Sequence, residues 1–336
     1  MQAGQLSGHD SDSRNAIKIL ASMFSALIVA AATPATAQDY PTRPVRVIAS
    51  SAAGGISDIF MRTLGDELHK RWGQPVIIEN RPGGNFNIGA RACAEAPPNG
   101  HTICIMSNEA VTYNLYLYKK LPFDLENGIV PLTNLFFLTQ ALAVNSDLNV
   151  KNLDELVAVA KAKPKTLSYS APAAPLVLFV ENLNRERGID LVKVPFKGGG
   201  DAINGVLTGV TPITFLGVGN MLAHLRSGRM TALLFDGEKR AALFPDVPTL
   251  QDFGYRGPLT RSYFALYAPA GTPRAMMQKL AADIRAIANE PEFRDRHLVQ
   301  RGLEPVFNTP DEFADYLKQD RMNAKRVVDQ AGLAPQ

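Results

Sequence analysis

Residues 44–72 read PVRVIASSAAGGISDIFMRTLGDELHKRW, and residues 75–96 read PVIIENRPGGNFNIGARACAEA. Each opens on apolar, largely β-branched residues, passes through glycine and other small residues, and continues with a helical pattern. In the first, Val45, Val47 and Ile48 predict a strand, while Met61, Leu64, Leu68 and Trp72 recur at helical spacing. In the second, residues 76–78 predict a strand, Gly83-Gly84 a turn, and Asn87-Ile88-Gly89 the entry to a helix. A helix that begins in such a loop has main-chain N–H groups without intrahelical partners, and the helix dipole adds positive potential there. Such an end binds carboxylate or phosphate without a buried lysine or arginine. Two such units in succession predict an anion site.

The alternation continues along the chain, with strand-like runs at 102–106, 141–144, 167–170, 192–195, 213–215 and 231–234. It predicts an α/β protein whose sheets are mostly parallel and covered by helices. Helix starts are marked where Asn152 stands three residues before Glu155, where Thr272 precedes Pro273, and where Thr309-Pro310-Asp311-Glu312 forms a capping box.

The 336 residues are 46% hydrophobic and 20% charged, the balance of an ordinary folded protein. The formal net charge of +3 is not concentrated in a basic run, so a nucleic-acid partner is not expected. At the N-terminus Arg14 and Lys18 precede an apolar stretch, 19–32, too short for the roughly 20 residues of a comfortable membrane span, and Ala35-Thr36-Ala37 supplies small residues for cleavage. Residues 1–37 therefore read as an export signal cleaved near Ala37, which places the mature chain in the periplasm. No cysteine follows the cleavage site to carry a lipid anchor, and no Arg-Arg pair marks export in the folded state. Cys93 and Cys104 could pair in an oxidising compartment, but their apolar neighbours favour two small buried hydrophobic residues. Two cysteines do not make a metal-ligand set, and no cofactor is expected.

Four blocks carry a family likeness. They are 44–59 with Gly54, Gly55 and Asp58; Glu79-Asn80-Arg81-Pro82-Gly83 running on to Asn87-Ile88-Gly89-Ala90; Val194-Pro195-Phe196-Lys197-Gly198-Gly199; and Pro245-Asp246-Val247-Pro248-Thr249 followed by Ala268-Pro269-Ala270-Gly271-Thr272-Pro273. In these blocks, and in their order from about residue 40 to 332, the chain resembles the Bug-type periplasmic solute receptors of the tripartite tricarboxylate transporter family. The resemblance implies a two-lobed type II periplasmic binding protein fold with a ligand cleft between the lobes. One lobe would comprise 38–138 and 263–336, the other 139–262, with the chain crossing near 137–143 and returning near 263–267. It also implies a monomer that takes a small organic acid and works with membrane transporter subunits or a membrane sensor.

Strand-end loops would line the cleft. The first ligand loop maps onto Ala53, Gly54, Gly55, Ile56, Ser57 and Asp58, with Asp58 orienting the loop because an Asp cap repels an incoming anion. Asn87, Gly89 and Ala90, then Ser107 and Asn108, then Ser170 and Ala171 hold equivalent positions. Singly these are ordinary turn formers; as a converging set they are candidate ligand contacts. Lys197, Gly198, Gly199 and Asp201 form a further loop entering a helix, where Lys197 reads either as an anion partner or as a solvated loop lysine.

Several family features are missing at the expected cleft. Ser50-Ser51 stands for Pro-Phe, Ala53 for a proline, Asn85 and Phe86 for small residues, and Ala171-Pro172-Ala173 for a Ser-Gly turn. If Phe86 and the alanines face the cleft, they favour an acid with an apolar or aromatic body over a compact dicarboxylate; otherwise Phe86 simply packs on its neighbouring helix. The chain holds no Gly-x-Ser-x-Gly, His-Glu-x-x-His or Cys-x-x-Cys motif, and His69, His101, His224 and His297 sit beside no recognisable catalytic grouping. A non-enzymatic uptake receptor is therefore the first reading. A ligand-sensing subunit is the second, and a secreted α/β hydrolase the third.

Overall fold

The computed structural model describes residues 40–171, 174–196, 199–254, 261–330, 332 and 334–335; the expected export signal, 1–37, lies outside them. In chain order the strands are β1 (Val45–Ala49), β2 (Val76–Asn80), β3 (Thr102–Ser107), β4 (Ile129–Leu138), β5 (Gln140–Asn145), β6 (Ser168–Ser170), β7 (Val192–Lys193), β8 (Ile213–Gly217), β9 (Met230–Phe235), β10 (Tyr263–Pro269) and β11 (Leu303–Pro305). They build two sheets, ordered β11-β4-β10-β3-β1-β2 and β7-β6-β8-β5-β9. The inner strands β3, β5 and β10 are buried along their whole length, whereas the edge strand β7 is exposed. Burial on both faces explains why the inner strands read as continuous rather than alternating apolar runs.

The expectation of mostly parallel sheets is corrected. The pairs β1–β2, β1–β3, β6–β7 and β6–β8 are parallel. The pairs β3–β10, β4–β10, β4–β11, β5–β8 and β5–β9 are antiparallel. A strand is forced parallel to its predecessor when a crossover helix returns the chain to the same sheet. Here β4 and β5 are separated by Thr139 alone, so one extended stretch leaves the first sheet and enters the second without a helix. The chain comes back from β9 to β10 through residues 236–262, again without a crossover helix among the described residues.

The helix Ile56–Trp72 shows how the sequence pattern becomes packing. Phe60, Met61, Leu64 and Leu68 face inward and are essentially inaccessible, each such side chain contributing about 1.5–3 kcal/mol by leaving water. The helix stops at Gly73, whose φ of 67° only glycine adopts without penalty, and its N–H returns to the His69 carbonyl. Asp283 on the helix Arg274–Ala288 accepts from Trp72 Nε1 at 2.7 Å and Arg71 Nε at 3.0 Å, which fastens the two helices together. Two of the three marked helix starts carry a side-chain cap; the third, the helix Arg274–Ala288, begins after Pro273 without one, the Thr272 hydroxyl donating to the Pro269 carbonyl. Asn152 accepts the N–H of Glu155, and Thr309 and Glu312 exchange hydrogen bonds at the start of the helix Pro310–Gln330.

That last helix reaches both halves. Phe313 and Leu317 enter the core beneath the first sheet, while Ala324, Val327 and Val328 pack with Tyr113 and with Leu178 of the helix Ala174–Arg187. Cys93 and Cys104 form a disulfide, with Cα atoms 6.0 Å apart, between the helix Asn87–Ala94 and β3. The reading of two separate hydrophobic side chains is thereby overturned. Packing of that helix over β3 brings the cysteines together, and chain separation alone could not reveal it.

Two stability measurements follow. Gly89 lies so close to β1 that an added Cβ would stand 2.6 Å from Ser50 Cα, so Gly89→Ala is expected to cost about 1–3 kcal/mol despite alanine's helix propensity. Gly200, in the helix Gly199–Leu207, meets nothing within 4 Å, and Gly200→Ala should be neutral or gain up to about 1 kcal/mol in the same urea titration. Equal effects at the two sites would contradict the packing. Replacing both cysteines by serine should lower stability by about 3 kcal/mol, the chain-entropy value for a short closed loop, and dithiothreitol should destabilise the parent protein but not that variant.

Candidate functional site

Between the sheets lies a cleft of about 640 Å³. Its walls are Ile56, Asn85, Phe86, Asn108, Glu109, Tyr113 and Leu117 from the first half, and Leu216, Gly217, Gly219 and Asn220 from the second. The floor is the crossing itself, with Leu138, Thr139, Gln140, Ser262, Gly302 and Leu303. Among these lining residues there is no lysine, arginine or histidine.

Three helices begin at this cleft: Ile56–Trp72 after Gly55, Asn87–Ala94 after Phe86, and Val218–Arg226 after Gly217. None of the three carries a side-chain cap. Away from the cleft, Leu153–Ala162 is capped by Asn152, whereas Arg274–Ala288 and Pro291–His297 also start without a side-chain cap. Removing a capping Ser, Thr, Asn or Asp costs about 1 kcal/mol. Some first-turn N–H groups are taken internally, Asn87 by the Gly84 carbonyl, Ile88 by the Gly83 carbonyl and Val218 by the Thr139 carbonyl, so the donors these starts can offer a ligand are the remaining N–H groups of their first turns.

The loop that presents the first of these starts is stiffened from outside the cleft. The Asp58 carboxylate accepts from the Gly54 N–H at 2.9 Å, from Arg62 at 2.9 and 3.0 Å, and from Asn80 Nδ2 at 3.0 Å. Burial pushes this carboxyl up, but the hydrogen bonds from Arg62, Gly54 and Asn80 outweigh it and hold it below the usual carboxylate range. Asn80 also donates to the Ser51 carbonyl, and the Ser51 and Ser57 hydroxyls bond to each other at 2.6 Å. In the second loop Asn85 and Phe86 both have positive φ, at 50° and 70°, and Asn114 Nδ2 bonds to the Asn85 carbonyl and to Asn87 Oδ1, each at 2.8 Å. The side chain of Asn108 is fully engaged, giving Nδ2–H to the Arg261 carbonyl and receiving the Tyr263 N–H.

The floor joins the halves. Thr139 gives its N–H to the Gly302 carbonyl and accepts the Val218 N–H at 2.8 Å, and Gln140 gives its N–H to Asp236 and its Nε2 to Ser262 Oγ. Behind it, the buried Arg261 lies 4.2 Å from the centre of the Phe137 ring and bonds Glu304 at 2.6 Å. Burial pushes the Asp236 carboxyl up to about 6, with Arg261 partly offsetting it.

The expected site residues separate on this geometry. Ile56 and Asn108 line the cleft, and Gly55 sits at the cap position beside it. Ala53 and Gly54 are exposed on the loop, while Ser57 and Asp58 are buried and bonded within it. Asn87, Gly89 and Ala90 are buried behind Phe86. Ser107 turns its hydroxyl to the Glu109 carboxylate. Ser170 gives its hydroxyl to Thr214 inside the second sheet, and Ala171 packs on that sheet's core. Gly199 starts a helix on which Asp201 is exposed, and Lys197 and Gly198 lie outside the described residues. Phe86 satisfies both of its readings, lining the cleft while packing beside Ala90 and Cys93.

Sequence reasoning missed Gly217, Gly219 and Asn220 although ITFLGVGN repeats the strand–glycine–helix order of the first two units. It also missed Glu109, one residue beyond the expected Ser107–Asn108 pair. Gly302 and Ser262 carry no local signal, since they reach the floor only through tertiary pairing.

Two α/β halves with strand-end loops facing across a cleft define a two-lobed solute-binding protein. A sequence model of the tripartite tricarboxylate transporter family receptor matches residues 60–333, and the chain belongs to this family. A UPF0065 protein of Bordetella bronchiseptica is 32% identical over 317 residues, covering 94% of this chain and 93% of that protein. The structure of Rpa4515 from R. palustris with adipate matches with a TM-score of 0.75 at 25% identity, over 88% of this chain and 100% of that one. MatC from Rhodopseudomonas palustris, with bound malate, matches with a TM-score of 0.69 at 26% identity, over 86% and 100%.

The Asp58 cluster gives a test of how the first loop is held. Its carboxyl has a lowered folded-state pKa, so the stability it contributes is present above the unfolded value near 4 and is lost as pH falls through the folded value. Asp58→Asn should cost about 1.5–3 kcal/mol at pH 7, the range for hydrogen bonds to a charged group, with a deficit that shrinks in acid. Urea titrations at pH 7 and pH 3 check this, and a deficit independent of pH would contradict it.

Proposed function

We propose that this protein is a periplasmic receptor that captures a small organic carboxylate by closing its lobes, 38–138 with 263–336 against 139–262, and delivers it to a tripartite tricarboxylate-type membrane transporter. In this reading residues 1–37 are removed on export and the mature protein works as a monomer. The observation that carries the proposal is the set of three uncapped helix starts around a cleft whose described lining residues include no basic side chain. Main-chain donors and bridging waters suffice for a single carboxylate. The adipate and malate in the structures of two relatives support an organic acid as the class of ligand. Ile56, Phe86, Leu117, Leu138, Leu216 and Leu303 make much of the wall apolar, which favours an acid with an apolar or aromatic body. A sensing role for a membrane signalling partner would use the same cleft, and only the partner separates the two readings.

A thermal-shift screen against organic acids tests the proposal. A ligand at 100 times its dissociation constant adds about 2.7 kcal/mol, a shift of several degrees for a protein of this size. Benzoate-like acids are expected to shift the melting temperature more than succinate or citrate. A panel of mono- and dicarboxylates that produces no saturable shift would overturn the receptor reading.

A further inference from the structure

Among the described residues that line the cleft, Glu109 is the one that carries a formal charge at neutral pH, and that charge is negative. It follows β3 directly and opens the short helical turn Glu109–Tyr113. The Ser107 hydroxyl donates to its carboxylate, and no salt bridge joins it to a cation among the described residues. The groups behind it do not neutralise it. Asp320 faces it from the helix Pro310–Gln330 and supplies no cation; burial pushes its own carboxyl up to about 7, and Tyr263 and Tyr267 of β10, Tyr316 and Arg321 surround it. Arg321 Nε is engaged by the Val111 carbonyl at 3.0 Å. Burial pushes the Glu109 carboxyl up to about 6, so most of it is ionised at neutral pH and most of it is protonated at pH 5.

An acidic group in the wall of a cleft that otherwise offers N–H donors divides the ligand into two ends. A second carboxylate directed at Glu109 meets like charge in a partly desolvated site, whereas an ammonium or amide N–H supplies the donors the carboxylate lacks. The geometry points to Glu109 as the specificity-determining residue of the cleft and to a ligand that bears a carboxylate at one end and an ammonium or amide N–H group at the other. This rests on the receptor reading above and narrows its ligand class.

Three six-carbon probes that differ in one terminal group isolate the effect: 6-aminohexanoate, hexanoate and adipate, titrated calorimetrically into the mature protein. At pH 7.5 the aminoacid is expected to bind at least tenfold more tightly than hexanoate, with adipate weaker than both. Lowering the pH to 5 should erase most of the preference for the ammonium group, a readout on the unmodified protein. Glu109→Gln, of the same shape, should reduce that preference at pH 7.5 and bring adipate up to hexanoate. Binding of hexanoate or adipate with no gain for the aminoacid, or an order unchanged in Glu109→Gln, overturns the assignment while the receptor reading stands. Failure of all three probes together with the wider acid panel overturns both.

Discussion

Thr139 is a single residue between two strands that belong to different sheets, and its two main-chain hydrogen bonds, to Gly302 and from Val218, fix how those sheets meet. With no slack at the crossing, the ends of β3, β5 and β8 and their neighbouring loops are held against one another, and the space left between them is the cleft. The close approach demands small residues. A Cβ on Gly219 would stand 3.1 Å from the Arg301 carbonyl, and one on Gly302 would stand 3.1 Å from Val218 Cγ1. Gly219 permits contact between backbones of the two halves, and Gly302 serves both that contact and the left-handed φ of 71° with which the turn Val299–Arg301 ends.

The electrostatics of the site follow from the same arrangement. Strand ends and helix starts supply partial positive charge from the main chain, so the cleft needs no lysine or arginine in its lining to attract an anion. Among the described residues the one deeply buried guanidinium, Arg261, lies behind the floor, where Asp236, Glu304 and the Phe137 ring engage it. It therefore acts as a cornerstone of the crossing. Breaking one partner of such a buried group leaves an uncompensated charge, a loss of about 3–5 kcal/mol that would disturb the hinge before it touched a ligand.

Much of the fold was legible because it rests on local signals. The strand–glycine–helix units at 45–72 and 76–94, the caps at Asn152 and Thr309, and the strands β3, β5, β6, β8 and β9 appear where periodicity and capping chemistry put them, whereas the inner strands β4 and β10 of the first sheet were not foreseen. Strand direction was not legible, because helix-free passages between sheets leave no mark in hydrophobic patterning. Nor was the Cys93–Cys104 bond, which depends on how one helix lies over β3. At the site, Ile56 and Asn108 were reached through their strand-end positions, but position did not reveal side-chain direction. Ser170 also ends a strand, yet its hydroxyl turns to Thr214 across the sheet. Glu109 carries no local signal of its own, and only the assembled lining sets it apart as the charged residue among those described there.

The most direct test of the account is where a bound carboxylate touches the main chain. Amide resonances of the ¹⁵N-labelled mature protein, followed while a carboxylate is titrated in, report on N–H donors residue by residue. The account predicts saturable shifts concentrated at the helix starts around Ile56, Asn87 and Gly219, with the amides of the helix Leu153–Ala162 unmoved. Saturable binding that shifts resonances only away from these three helix starts would contradict it.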